Sequence, residues 1–251
     1  FFNPEVKAAY SEDKSKVVFF SVHELIDLQT AVYDLITKTT LVEKKLLFKD
    51  IDIKDDFRQM IVTNTGEMLL IFEKNNFKSK KDKHVFEAHY FSTVGNGHRS
   101  YTIPIYRLVS FHSKFTYDNI NHRLVGGGIY AAKHVNKAEG LFYIIHPLTT
   151  SGGEQIAAFP FENKMDEEIK RRSKDKNEFN HLEVSDIALK QDGGMLLITE
   201  IKKEYERRAG YPGGGIGNRN LGNPNGFRAP LLVDYYYEDM ALFSINKEGK
   251  V

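Results

Sequence analysis

The 251-residue chain has no cysteine and no tryptophan. The first absence excludes disulfides, thiol catalysis and thiolate metal sites, and leaves the compartment open. Charge of one sign is also lacking. The 35 basic residues stand against 34 acidic ones, for a net charge of +1. No long-range positive field of the kind that marks a nucleic-acid binder is therefore expected. No apolar run approaches the ~18 residues of a membrane-spanning helix. The opening residues, FFNPEVKAAYSEDK, have neither the layout of a signal peptide nor an initiator methionine. The expectation is that the chain starts after a processed or uncloned segment.

What is present favours strands. Hydrophobic residues make up 41% of the chain, enough for a buried core, and its aromatics are all Phe and Tyr. The stretch Asp186–Lys203, DIALKQDGGMLLITEIKK, reads as strand, tight turn, strand, with Asp192-Gly193-Gly194 where a hairpin needs positive φ. A near copy lies at Met60–Glu73, MIVTNTGEMLLIFE. Laid over Ile187–Glu200, it matches at Gly66/Gly193 and then through Met-Leu-Leu-Ile-x-Glu without a gap. RLVGGGIYAAK adds a third candidate hairpin, so the expected hairpin glycines are Gly66, Gly127 and Gly193. This spacing predicts an all-β chain of antiparallel four-stranded repeat units, arranged as a β-propeller or an incomplete propeller arc. The competing architecture is a β-sandwich. The expected units are 17–74, 85–147, 156–204 and an incomplete 231–251, all within a single domain 1–251. One helix is expected at Met165–Arg172, where acidic residues precede basic ones. Tyr205–Pro230, rich in Gly, Pro and Asn, is expected to be a surface loop.

The segments RLVGGGIYAAK, GLFYI, DIALKQDGGMLLITE and VDYYYEDMALFSINKEGKV resemble uncharacterised propeller-like repeat proteins of Bacteroidota, mainly over residues 111–251. The resemblance implies an extracytoplasmic or cell-envelope setting and a chain that belongs to a longer one. Its motifs are structural, and it implies no catalytic residue.

The chemistry-bearing residues are sparse. None of the nine histidines has H-x-H or H-E-x-x-H spacing, so no metal site is expected from local sequence. Gly126–Gly128 and Gly213–Gly217 lack the following helix or the Lys-Ser/Thr ending of phosphate-binding loops, and no cofactor is expected. Glu73 and Glu200 recur at one repeat position, where structural hydrogen bonding is the expected role and a catalytic carboxylate pair the alternative. Asp118 and Asp192 are expected to shape turns. Candidate binding residues are the basic run around Lys170, Arg171 and Arg172, and the cluster Tyr235, Tyr236 and Tyr237. Alternate tyrosine rings would lie on opposite faces of a strand, one of them in the core. The leading functional expectation is a non-catalytic binding or scaffold domain of a bacterial cell-envelope protein, presenting loops to a protein partner. The alternative is a carbohydrate-active or other hydrolytic propeller using carboxylates on central strands. Nucleic acid is not an expected partner; carbohydrate is the second choice after protein.

Overall fold

The computed structural model describes residues 5–23, 27–48, 50–95, 97–132, 138–148, 153–161, 167, 182–208, 231–247 and 250. They form four antiparallel sheets that follow one another along the chain. The first sheet holds β1 (Lys7–Tyr10), β2 (Lys16–His23), β3 (Asp27–Asp34) and β4 (Thr39–Leu47). After a single-turn helix α1 (Ile53–Asp56) comes the second, with β5 (Phe57–Val62), β6 (Met68–Lys74), β7 (Val85–Phe91) and β8 (His98–Pro104). The third holds β9 (Val109–Asp118), β10 (Arg123–Ala131), β11 (Gly140–Pro147) and β12 (Gln155–Pro160). The fourth holds β13 (Leu182–Leu189), β14 (Met195–Arg208) and β15 (Leu231–Ile245). Each is a meander in which sequential strands pair.

Three apolar cores lie between successive sheets. Val18, Phe20 and Leu28 of the first sheet pack with Met60, Leu70 and Phe72 of the second. Leu69, Ile71 and Phe86 on the opposite face of the second pack with Phe115, Leu124 and Phe142 of the third. Val125, Leu141 and Tyr143 of the third meet Val184, Leu197 and Phe243 of the fourth. Strand β6 is buried from Met68 through Glu73 because both of its faces are covered, which is why it reads as an unbroken apolar run rather than an alternating one. The first strands of neighbouring sheets approach one another, β1 with β5, β5 with β9 and β9 with β13. Sheets stacked face to face and converging on their first strands form a β-propeller arc, not the two-sheet sandwich. Strand β2 pairs with β1 and β3, and β15 with β14, so no β2–β15 pairing closes the arc among the described residues.

The sheets divide the chain differently from the expected units. Boundaries at 17–74, 85–147, 156–204 and 231–251 each cut across the observed meanders, because the Gly66 and Gly193 hairpins join the first two strands of their sheets rather than the last two. Gly127 is not a turn glycine: it sits mid-strand in β10, paired with Lys114 and Tyr143. The run Gly126–Gly128 exists for space. A Cβ on Gly126 would stand 2.5 Å from the Phe115 ring, and one on Gly128 2.4 Å from the Phe142 ring. The turn equivalent to Gly66 (φ 95°) and Gly193 (φ 86°) is made in the first sheet by Lys14 (φ 60°) and in the third by His122 (φ 50°). Residues Tyr205–Arg208, expected in a loop, belong to β14 and pair with Asp234–Leu231 of β15. The remainder of that stretch, 209–230, lies outside the described residues. So does the expected helix Met165–Arg172 apart from Glu167, and with it Lys170, Arg171 and Arg172.

Polar side chains tie the sheets together near their first strands. Gln59 on β5 clamps Phe115 on β9, its Nε2 donating to the carbonyl at 2.8 Å and its Oε1 accepting from the amide at 2.9 Å. Asn76 does the same to Ser110, at 2.9 and 2.8 Å. The turns are linked in series. Asp13 N–H donates to Asn64 Oδ1 at 3.2 Å, Asn64 N–H donates to Asn119 Oδ1 at 2.9 Å, and Arg123 Nη2 donates to the Gly193 carbonyl at 2.9 Å. Asp118 and Asp192 shape their turns by accepting backbone N–H bonds, from Ile120 and Asn121 and from Gly194.

Candidate functional site

Glu73 and Glu200 each stand sixth in the second strand of their sheets. Their faces correspond as well. Met68, Leu70 and Phe72 pack toward the preceding sheet, as Met195 and Leu197 do, which turns Leu69, Ile71 and Glu73, like Leu196, Ile198 and Glu200, toward the following side. The surroundings differ. The third sheet covers Glu73, which is 3% exposed. Glu200 lies half-buried on the outer face of the fourth sheet, beside the exposed Met240 and Leu242.

Glu73 is saturated by two basic partners. Arg58 Nε donates to its Oε2 at 2.5 Å, and His84 Nε2 lies 3.0 Å from its Oε1. His84 is fully buried, and its Nδ1 is 2.8 Å from the Leu108 carbonyl. A carbonyl only accepts, so Nδ1 carries a hydrogen, and a second proton must sit between Nε2 and Oε1. The cluster therefore joins the β6 carboxylate to the chain just ahead of β9 and leaves no carboxylate oxygen facing solvent. Arg58 and His84 were not singled out in the sequence. Neither has a local signal, because they reach Glu73 only through strand pairing and the turn at Lys78–Lys83.

The tyrosine cluster is placed quite differently. The described part of β13 begins at Leu182, which pairs with Ile201. From Lys202 to Arg208, β14 and β15 pair in an arm roughly 20 Å long at ~3.3 Å per residue, which has no third strand among the described residues. Tyr235, Tyr236 and Tyr237 are 53%, 53% and 65% exposed, and Tyr205 is 54% exposed. The expectation that one of the three rings sits in the core is overturned, since all three are more than half exposed. Tyr235 and Tyr237 share one face, with Lys202 Nζ 4.7 Å from the Tyr235 ring centre. Tyr236 lies on the other and meets Tyr205 edge-on, with ring centres 5.2 Å apart. Leu232 and Val233 extend the apolar surface toward the end of the arm. Among the described residues no helix is long and apolar enough to cross a membrane.

No protein-family profile and no curated protein matches the sequence. Similar solved structures include two from Pyrococcus. One is the Pyrococcus horikoshii acylaminoacyl peptidase, 11% identical with a TM-score of 0.35, the match covering 79% of this chain and 36% of the peptidase. The other is the β-propeller domain of the trilobed protease from Pyrococcus furiosus, described as having an open velcro topology. It is 11% identical with a TM-score of 0.34, and the match covers 98% of this chain and 69% of that one. The chain thus spans little more than a third of the peptidase it resembles.

Proposed function

We propose that the chain is a non-catalytic binding module of a cell-envelope assembly, and that it presents the β14–β15 arm to a protein partner. The observation that supports this reading is the exposure of four tyrosines on both faces of the paired β14–β15 arm. Tyrosine offers large, rigid contact area at low entropic cost and is enriched at protein interfaces. The saturation of Glu73 by Arg58 and His84 also favours a structural role for the repeated carboxylate over a catalytic one. The cell-envelope setting rests on the sequence resemblance.

The test is site-specific photo-crosslinking in the cells that make the protein. A benzophenone side chain is placed at Tyr237 and, as a control, at Ile36, which is 74% exposed in the β3–β4 turn. The expected result is a discrete heavier adduct from position 237 that position 36 does not give. An adduct of twice the chain's own mass would name a second copy as the partner. No adduct from 237, or the same adducts from both positions, would overturn the reading.

A further inference from the structure

A cleft of about 380 Å³ opens at the turn end between the second and third sheets, away from the arm. Tyr90 on β7, Arg99 on β8, Tyr117 on β9 and His122 in the β9–β10 turn form its polar lining. Val94, 84% exposed, and the buried Leu148 form its apolar side. Burial, then Tyr90 and Glu67 nearby, push the Tyr117 phenol up to about 12. Burial and then Glu67 push Tyr90 up as well. Both hydroxyls therefore stay protonated and act as donors.

The nearby carboxylates, Asp118 and Glu67, are already satisfied, the first by Asn121 and Arg123. Burial pushes Glu67 up, but hydroxyl donors on Thr63 and Thr65 outweigh it and hold the carboxyl below its ordinary range. Arg99 is exposed and forms no ion pair or hydrogen bond among the described residues. A guanidinium without a counter-ion thus stands beside two neutral phenols.

His122 is an independent observation. It holds φ 50° at the turn position where the second and fourth sheets use glycine and the first uses Lys14. Side chains other than glycine occupy that region at a cost, and such strain gathers at functional positions. Here the strained backbone puts Nδ1 3.2 Å from the Tyr117 hydroxyl, on the wall shared with a second cleft of about 520 Å³.

We propose that this cleft binds a carboxylate carried on a short aliphatic group. Arg99 takes the carboxylate by its planar fork, the Tyr117–His122 pair donates a further hydrogen bond, and the aliphatic part lies against Val94 and Leu148. A planar monoanion matches one guanidinium. A phosphate dianion is opposed by the neighbouring charge of Glu67. Two sources offer this chemistry, a free short-chain acid and the C-terminus of a peptide.

Titrations of the isotopically labelled protein followed by NMR distinguish these. The probes are isovalerate, the peptide acetyl-Gly-Gly-Leu with a free carboxylate, the amides of both, and inorganic phosphate. At least one acid should shift the Arg99 and His122 signals saturably, and neither amide should. Saturation by isovalerate identifies a free acid as sufficient, whereas saturation by the peptide acid alone identifies a protein terminus. Arg99→Gln should weaken binding by at least about tenfold, the loss expected for one charge-assisted bidentate pair. His122→Gly should weaken binding while leaving the melting midpoint unchanged or higher, because glycine takes this φ without strain. The proposal is overturned if no acid saturates, if phosphate binds as well as the acids, or if Arg99→Gln binds as before. It is also overturned if His122→Gly melts lower, since the histidine would then serve the turn itself.

Discussion

Replacing Glu73 by glutamine gives the sharpest test of the architecture, because Glu200 supplies an internal control at the same strand position. Glutamine keeps the shape but offers one acceptor where two donors converge, Arg58 Nε and His84 Nε2. Its amide N–H₂ would face one of them. Removing one partner from a buried ion pair costs roughly 3–5 kcal/mol. Arg58 is about a third exposed and recovers part of its hydration, which points to the lower end, about 3 kcal/mol. His84 is fully buried and recovers none. For a chain of this size that corresponds to a fall in Tm of roughly 6–12 °C. Glu200→Gln, on a half-exposed face, should stay within about 0.5 kcal/mol. The assay is urea unfolding followed by tyrosine fluorescence, which the 13 tyrosines and absent tryptophan make clean. Equal losses for Glu73→Gln and Glu200→Gln would refute the claim that the third sheet converts a repeated carboxylate into a buried lock.

Three further outcomes follow from the contacts between sheets. Burial pushes the His112 imidazole below its ordinary value of 6.5, with Glu183 opposing and Lys114 assisting, and its Nδ1 accepts the Val184 N–H at 3.1 Å. A depressed folded pKa means the unfolded chain binds the proton more tightly. The tether should therefore contribute fully above pH 6.5 and be lost as pH falls through the folded value; His112→Gln, which keeps an acceptor, should flatten that part of the urea-stability profile. Gly126→Ala and Gly128→Ala should each cost about 1–3 kcal/mol by overpacking against Phe115 and Phe142, whereas an alanine scan showing no loss at either would deny the close approach. Gln59→Ala removes both bonds of the Phe115 clamp and should cost about 2 kcal/mol in the same unfolding assay.

Strand content and the equivalence of Met68–Glu73 with Met195–Glu200 were legible because alternation, flanking glycine and a gapless match all act within one hairpin. The frame of the repeat was not. In two of the four sheets the positive-φ turn residue is not glycine but Lys14 or His122, and the most conspicuous glycines, Gly126–Gly128, answer a steric demand from rings on neighbouring strands. Sequence marks a turn only where the turn chooses the residue best suited to it. The tyrosine cluster was legible as a binding candidate. The exposure of its rings depends on where β14 and β15 run relative to the packed core, and that placement leaves no local mark. The cleft was invisible for a simpler reason. Tyr90, Arg99, Tyr117 and His122 come from three strands and a turn, and no spacing rule connects them.

The series of bonds through Asp13, Asn64 and Asn119, and from Arg123 to Gly193, has a mechanical consequence. At that end of the arc the distance between sheets is fixed by hydrogen-bond lengths, which tolerate only a few tenths of an ångström. Toward the outer strands such ties are sparser, as from Tyr101 on β8 to the Leu148 carbonyl, and side-chain volume, which adjusts by rotamer and shape, sets more of the spacing. The arc is therefore a fan with a stiff pivot and a compliant rim. A bulky substitution near β4, β8 or β12 should splay the sheets apart at their outer edges. A change of the same size among the turns has no such outlet and must break the series.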